Sequence, residues 1–219
     1  MPDNIAEIYH TERSTPKNVR YINYNLLRAV EFQGEPVVPK ILGEEKDEIG
    51  SFFKVEKLNG LDLGDFLHLP DVDIKTKLKV IKHVISQLQA IDESGFVLFD
   101  RNGGNVRVLE WKENISTRQI DIEDIYDKSA DAVYSLDGQK GYEDMIDALS
   151  EKDIDIWAPA VNKIAQGVGG ILKDFPGVSH ILSPYEDIRT LPSRQKILTE
   201  FSKAIDLATN ELPGLVTDH

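Results

Sequence analysis

The chain has 219 residues, with 38 acidic and 25 basic side chains, a net charge of −13 and no cysteine. Binding to nucleic acid or to an anionic membrane through bulk charge is disfavoured, because both surfaces attract positive proteins. Disulfides and zinc–thiolate sites are excluded. No run approaches the roughly 20 apolar residues of a membrane helix, and residues 1–17 lack the apolar centre of a signal peptide.

The first 58 residues are predicted to be rich in strand. Strand-forming residues between turn signals predict strands at 5–9, 18–22 and 49–58, and an extended segment at 35–43. A helix is predicted at 24–34, ending at Gly34. The Asn59-Gly60 pair then breaks the last of these strands.

The rest of the chain is predicted to be mostly helical. The clearest element is a long helix at 73–95, whose apolar residues recur every three or four positions and which ends at Gly95. Short strands flank a polar loop that follows it. The remaining predictions are a short helix at 61–69, strands at 96–99, 106–111 and 116–126, an irregular acidic segment at 128–150, and helices at 153–172 and 193–212.

The polar loop is the stretch "FDRNGGN", in which Asp100 and Asn105 stand five positions apart around Gly103 and Gly104. A hairpin turn would explain it, since Asn and Gly are the usual turn formers. About twenty positions further on, "QIDIED" places Asp121 after a predicted strand. Each motif alone favours a structural interpretation, although Asp100 and Asn105 could also face one shared ligand.

This series of elements resembles the protein-kinase-like superfamily. It is most similar to the small kinases that some enteric bacteria inject into host cells by type III secretion, and more distantly to aminoglycoside-type phosphotransferases. "DIW", with Asp155 and Trp157, also matches the family. The resemblance implies an α+β, reduced bilobal kinase-like fold. Its truncated, strand-rich N-lobe would comprise residues 1–58, and its helical C-lobe residues 59–219.

The resemblance also implies roles for individual residues. Asp100 would accept or orient the proton of the acceptor hydroxyl, while Asn105 and Asp121 would hold Mg²⁺ beside ATP. Glu56 and Leu58 stand where backbone groups of the family meet adenine. Arg20, in the predicted strand 18–22, would take the place of the family's phosphate-binding Lys, or that Lys is shifted to Lys17. The planar fork of Arg20 is not equivalent to an ammonium group.

The N-terminal part departs from the family pattern. The glycine-rich loop that covers the phosphates is missing or replaced, and Asn23 and Asn25 lie near the position of the Lys's glutamate partner. Two functions therefore stay open. The first is an ATP- and Mg²⁺-dependent phosphotransferase, a minimal serine/threonine protein kinase; the alternative is a catalytically inactive pseudokinase that binds proteins.

Either function implies a protein substrate or partner. The expected location is the cytoplasm, or a host cell reached without a classical signal peptide. The sequence leaves the phosphoacceptor and the oligomeric state open.

Overall fold

The computed structural model shows an α+β chain whose described residues form helices and small antiparallel sheets of two or three strands. Among the residues it describes, no helix is long and apolar enough to cross a bilayer. The described residues are 5–10, 19–46, 51–98, 103–135, 199, 202, 203, 205, 206, 209 and 210.

The N-terminal sheet has three antiparallel strands in the order β1-β5-β4. Strand β5 (Ser51–Glu56) lies between β1 (Ile5–His10) and β4 (Ile41–Lys46). Phe53 of the central strand is completely buried. The predictions of strands at 5–9 and 49–58 are confirmed.

Helix α1 (Val19–Leu27) stands where a strand was predicted at 18–22, so that prediction is wrong. Val19, Asn23, Tyr24 and Leu27 are its buried residues, and they repeat with the period of a helix rather than of a strand. The Tyr24 ring packs 5.6 Å from the ring of Phe53, between centroids. Burial against the sheet thus decides the conformation of this segment.

A tight hairpin follows, formed by β2 (Glu31–Phe32) and β3 (Glu35–Pro36). Its two central residues, Gln33 and Gly34, have φ angles of 55° and 77°. Two successive positive φ values are typical of a type I′ turn, which matches the twist of antiparallel strands. The prediction that a helix continues to Gly34 is therefore wrong, because this glycine makes a hairpin turn.

The long helix is confirmed as α3 (Ile74–Glu93). The carboxylate of Asp73 caps it by accepting the Thr76 N–H at 3.0 Å, and Gly95 follows its end with a φ of 95°. The short helix is confirmed as α2 (Leu63–Leu67). The helix α3 side chains that are completely buried form the centre of the core: Leu78, Val80, Ile81, Val84, Ile85 and Leu88.

Two further sheets flank the polar loop. In one, β8 (Val106–Glu110) pairs with both β6 (Leu61–Asp62) and β9 (Ser116–Gln119). In the other, β10 (Asp124–Asp127) pairs with both β7 (Phe96–Leu98) and β11 (Ala132–Ser135).

Two sequence predictions change here. The strand predicted over 116–126 is interrupted at 120–123, where Asp121 has a φ of 53° that a strand cannot contain. The segment predicted as irregular contains β11, which forms because β10 offers it a neighbouring edge.

The predicted helix at 193–212 is supported by those of its residues that are described, all of which are helical. Ile205 is completely buried, and the Asp206 carboxylate accepts a hydrogen bond from Lys82 Nζ of α3 at 2.6 Å. The helix predicted at 153–172, with Asp155 and Trp157, lies outside the described residues.

Candidate functional site

The β8–β9 hairpin brings Asn105 and Asp121 to the same end of one sheet. Val106 pairs with Gln119, so the residues just outside this pair are neighbours. The Ile120 N–H donates to the Asn105 carbonyl at 2.9 Å. Two of the predicted site residues are thus in adjacent segments, whereas Asp100 lies outside the described residues.

Gly103 begins a single turn of 3₁₀-helix, Gly103–Asn105, that leads into β8. A Cβ atom added to Gly103 would lie 3.0 Å from the backbone nitrogen and 3.1 Å from the Cα of Gly64 in α2. This glycine therefore allows the loop to touch the start of α2. The close approach at this glycine is therefore between the backbone of the loop and the backbone of α2.

Asp121 is held by backbone contacts in an unusual conformation. Its φ is 53°, and its N–H donates to the Tyr24 hydroxyl of α1 at 3.2 Å. Its own carbonyl accepts the Glu123 N–H at 3.1 Å. Its side chain is 50% exposed. Residues other than glycine rarely adopt positive φ, and such conformations cluster at functional sites.

Arg20 reaches this loop from α1. Its Nη2 lies 3.2 Å from Asp121 Oδ1 and also pairs with the Glu123 carboxylate. Its Nε is buried and has no hydrogen-bond partner among the described residues. Arg20 thus lies beside Asp121, on a helix rather than on the predicted strand.

Asn23, one turn along α1 from Arg20, holds the same loop through its backbone. It is completely buried, and its amide Nδ2 donates to the carbonyls of Ile122 at 3.2 Å and Glu123 at 3.1 Å. Together with Tyr24, three side chains of one helix face fix residues 121–123. Glu123 and Tyr24 were not among the predicted site residues. The helical spacing of residues 20, 23 and 24 is a signal that could have pointed to Tyr24.

Glu56 and Leu58 follow the central strand of the N-terminal sheet. The Glu56 N–H donates to the Lys40 carbonyl at 2.9 Å, and its carboxylate accepts the Lys40 N–H at 3.0 Å. Leu58 is half-buried, two residues beyond the end of β5. Glu56 therefore ties β5 to the start of β4, and a contact of either residue with a nucleotide stays a prediction.

The oxygen donors of the site suit a hard cation such as Mg²⁺, which prefers carboxylate and amide oxygens. Asp121 and Glu123 supply carboxylates, and Asn105 supplies an amide. Within the described part of the chain, however, no three His, Cys, Asp or Glu side chains stand close enough together to hold a metal ion. The donor chemistry fits Mg²⁺, while a guanidinium group already lies against Asp121.

Solved structures with the same fold are kinase domains. The PknI kinase domain of Mycobacterium tuberculosis matches with 11% identity and a TM-score of 0.55, over 93% of this chain and 84% of that one. A mutant of that domain matches with 10% identity and a TM-score of 0.56, over 95% and 86% of the two chains. A structure of the Rad53 kinase domain and SCD2 matches with 12% identity and a TM-score of 0.55, over 94% and 90%.

These likenesses establish a protein-kinase-like α+β fold, as the sequence predicted. No family model matches the chain, and no curated protein does.

Proposed function

We propose that this protein is an ATP- and Mg²⁺-dependent phosphotransferase, a minimal serine/threonine protein kinase. One observation carries the proposal: the hydrogen bond between Ile120 N–H and the Asn105 carbonyl, which makes Asn105 and Asp121 neighbours in a kinase-like fold. In protein kinases, an Asn of the catalytic loop and a downstream Asp hold the metal.

Each predicted site residue has a separate role in this proposal. Asp100 orients the acceptor hydroxyl and takes up its proton, and Asn105 and Asp121 hold Mg²⁺. When bound, Mg²⁺ supplies positive charge against the phosphate oxygens. Arg20, Glu56 and Leu58 bind the nucleotide. A hydroxyl of a partner protein is the proposed acceptor.

A second candidate function is a pseudokinase that binds proteins without transferring phosphate. The position of Arg20 favours this alternative. Its guanidinium group forms ion pairs with two acidic residues of the loop, at the place where an active kinase would bind the metal ion. The strand before α1, "IAEIYH", also contains no lysine. Phosphate binding in kinases depends on a strand lysine.

Asp121→Asn separates the two functions, because it keeps the shape of the side chain and removes its charge. If the protein is an active kinase, we expect this variant to transfer phosphate at least about a hundredfold more slowly in the presence of Mg²⁺. The reason is that a bound metal ion stabilises the charge of the transition state by several kcal/mol. The assay is transfer from labelled ATP to the protein itself and to a lysate, with thermal melting as the folding control.

Asp131→Asn is the matched control. Asp131 is also exposed and also has a positive φ, of 49°, but it lies in the turn before β11 and accepts a hydrogen bond from the Tyr126 hydroxyl at 2.7 Å. We expect transfer by this variant to equal that of the wild type. The kinase function would be excluded, and the pseudokinase favoured, by two results together: the wild-type protein transfers no phosphate, and ATP with Mg²⁺ does not raise its melting temperature.

A further inference from the structure

One guanidinium group bridges the two acidic side chains of the candidate metal loop. Arg20 Nη2 contacts the carboxylates of both Asp121 and Glu123. The Arg20 side chain is only 29% exposed, against 50% for Asp121 and 37% for Glu123. Partial burial strengthens such contacts, because less water screens them than at an open surface.

The surrounding contacts keep this arrangement in place. Asn23 and Tyr24 bind the loop backbone at Ile122, Glu123 and Asp121. Ile122, between the two acidic residues, is completely buried. The backbone of the loop is therefore fixed against α1, and Arg20 is a cation beside both of its carboxylates.

A divalent metal at Asp121 would bind a carboxylate whose Oδ1 already lies 3.2 Å from the Arg20 guanidinium. Two cations that share a carboxylate also repel each other at short distance. We propose that Arg20 is a resident cation of this site and that a divalent metal binds at Asp121 only by displacing the guanidinium. The inference rests on the proposed function for the choice of metal, but the competition itself requires no nucleotide and no phosphate transfer.

The test is a titration of the nucleotide-free protein with Mn²⁺ by calorimetry. We expect Arg20→Gln to bind Mn²⁺ about tenfold more tightly than the wild type, since displacing a small ion-pair network costs roughly that much affinity. Arg28→Gln is the matched control, because Arg28 is exposed just beyond the end of α1 and its removal changes the net charge equally. Its affinity should stay that of the wild type.

A third variant locates the effect. Adding Asp121→Asn to Arg20→Gln should abolish the gain in affinity, and a gain that persists would overturn the proposal. Equal or weaker Mn²⁺ binding by Arg20→Gln would overturn it as well. Because ATP is absent, a protein that fails the phosphate-transfer assay can still pass this one, so the two proposals fail separately.

Loss of Arg20 removes a positive charge beside two neighbouring carboxylates, which can unfold the variant. Arg20→Met, which keeps the aliphatic stem, is the second variant. If both variants are unfolded without metal, the proposal requires that Mn²⁺ restores their folding, measured by circular dichroism, because the metal replaces the missing cation. Variants that stay unfolded in saturating Mn²⁺ would contradict it.

Discussion

Asn23 shows how one buried side chain can define the geometry of the candidate site. Its amide group donates to the carbonyls of two successive loop residues, Ile122 and Glu123. These residues follow Asn23 by 99 and 100 positions in the sequence. A buried carbonyl without a hydrogen-bond donor destabilises the folded state by the full free energy of its desolvation. Asn23 is thus a neutral donor that ties α1 to the loop.

Asn23→Leu keeps a similar volume and removes the donor. We expect it to lower the free energy of unfolding by about 1–3 kcal/mol, the cost of unsatisfied buried polar groups. Urea denaturation measures the change. The control is Asn25→Leu, since Asn25 donates within its own helix, to the Tyr21 carbonyl at 2.9 Å. Equal losses in the two variants would mean that the loop contacts of Asn23 contribute nothing.

At the scale of elements, the β2–β3 hairpin joins the end of α1 to the rest of the chain. Its turn needs positive φ at both Gln33 and Gly34. A Cβ atom added to Gly34 would meet nothing within 4 Å, so the space around it is open. The only cost of a side chain there is conformational.

Gly34→Ala should therefore lower the free energy of unfolding by about 1 kcal/mol, because alanine is strained at positive φ. Gly43→Ala is a control of the same chemistry: its added Cβ also meets nothing within 4 Å, and its φ is outside the positive range. We expect that variant to be as stable as the wild type in urea denaturation. A neutral Gly34→Ala would show that the turn is not of this type.

At the scale of the whole molecule, the hairpin, α3 and β9 meet around His83. Its ring lies 5.0 Å from the Phe32 ring, edge to face. Arg118 of β9 is nearby and pairs with Glu35 of the hairpin at 2.5 Å. The Gln119 N–H also donates to the Val37 carbonyl at 2.7 Å. These contacts join the N-terminal part of the chain to its centre.

Burial lowers the pKa of His83, and the positive charge of Arg118 lowers it further. The unfolded chain therefore takes up a proton near the ordinary histidine pKa, of about 6.5, while the folded chain does not. The free energy of unfolding should fall as the pH drops through and below that value, because the unfolded state binds more protons.

We expect His83→Gln to reduce this loss of stability between about pH 6.5 and 5, measured by thermal melting across that range. His68→Gln is the control, since His68 is exposed and its Nδ1 lies 2.7 Å from the carbonyl of Gly64, four residues earlier. A pH profile of His83→Gln identical to that of the wild type would exclude His83 as the source.

The sequence by itself determined the elements whose signals are local. The long helix α3 was predicted from its apolar period and its terminal glycine, signals that both lie within the helix or directly after it. The order of elements was enough to predict a kinase-like fold, which the solved structures confirm. Asn105 and Asp121 were predicted as site residues from their spacing in the sequence. In the structure the segments that contain them are adjacent, because the Ile120 N–H donates to the Asn105 carbonyl.

Tertiary structure alone decided what fills the space around Asp121. Residues 18–22 carry both a strand-like and a helix-like pattern, and burial of Tyr24 against Phe53 selects the helix. That choice places Arg20 beside Asp121 and Glu123, more than 100 residues away in sequence. A local pattern does not record which distant charge a side chain will meet, because that depends on how α1 packs against the loop.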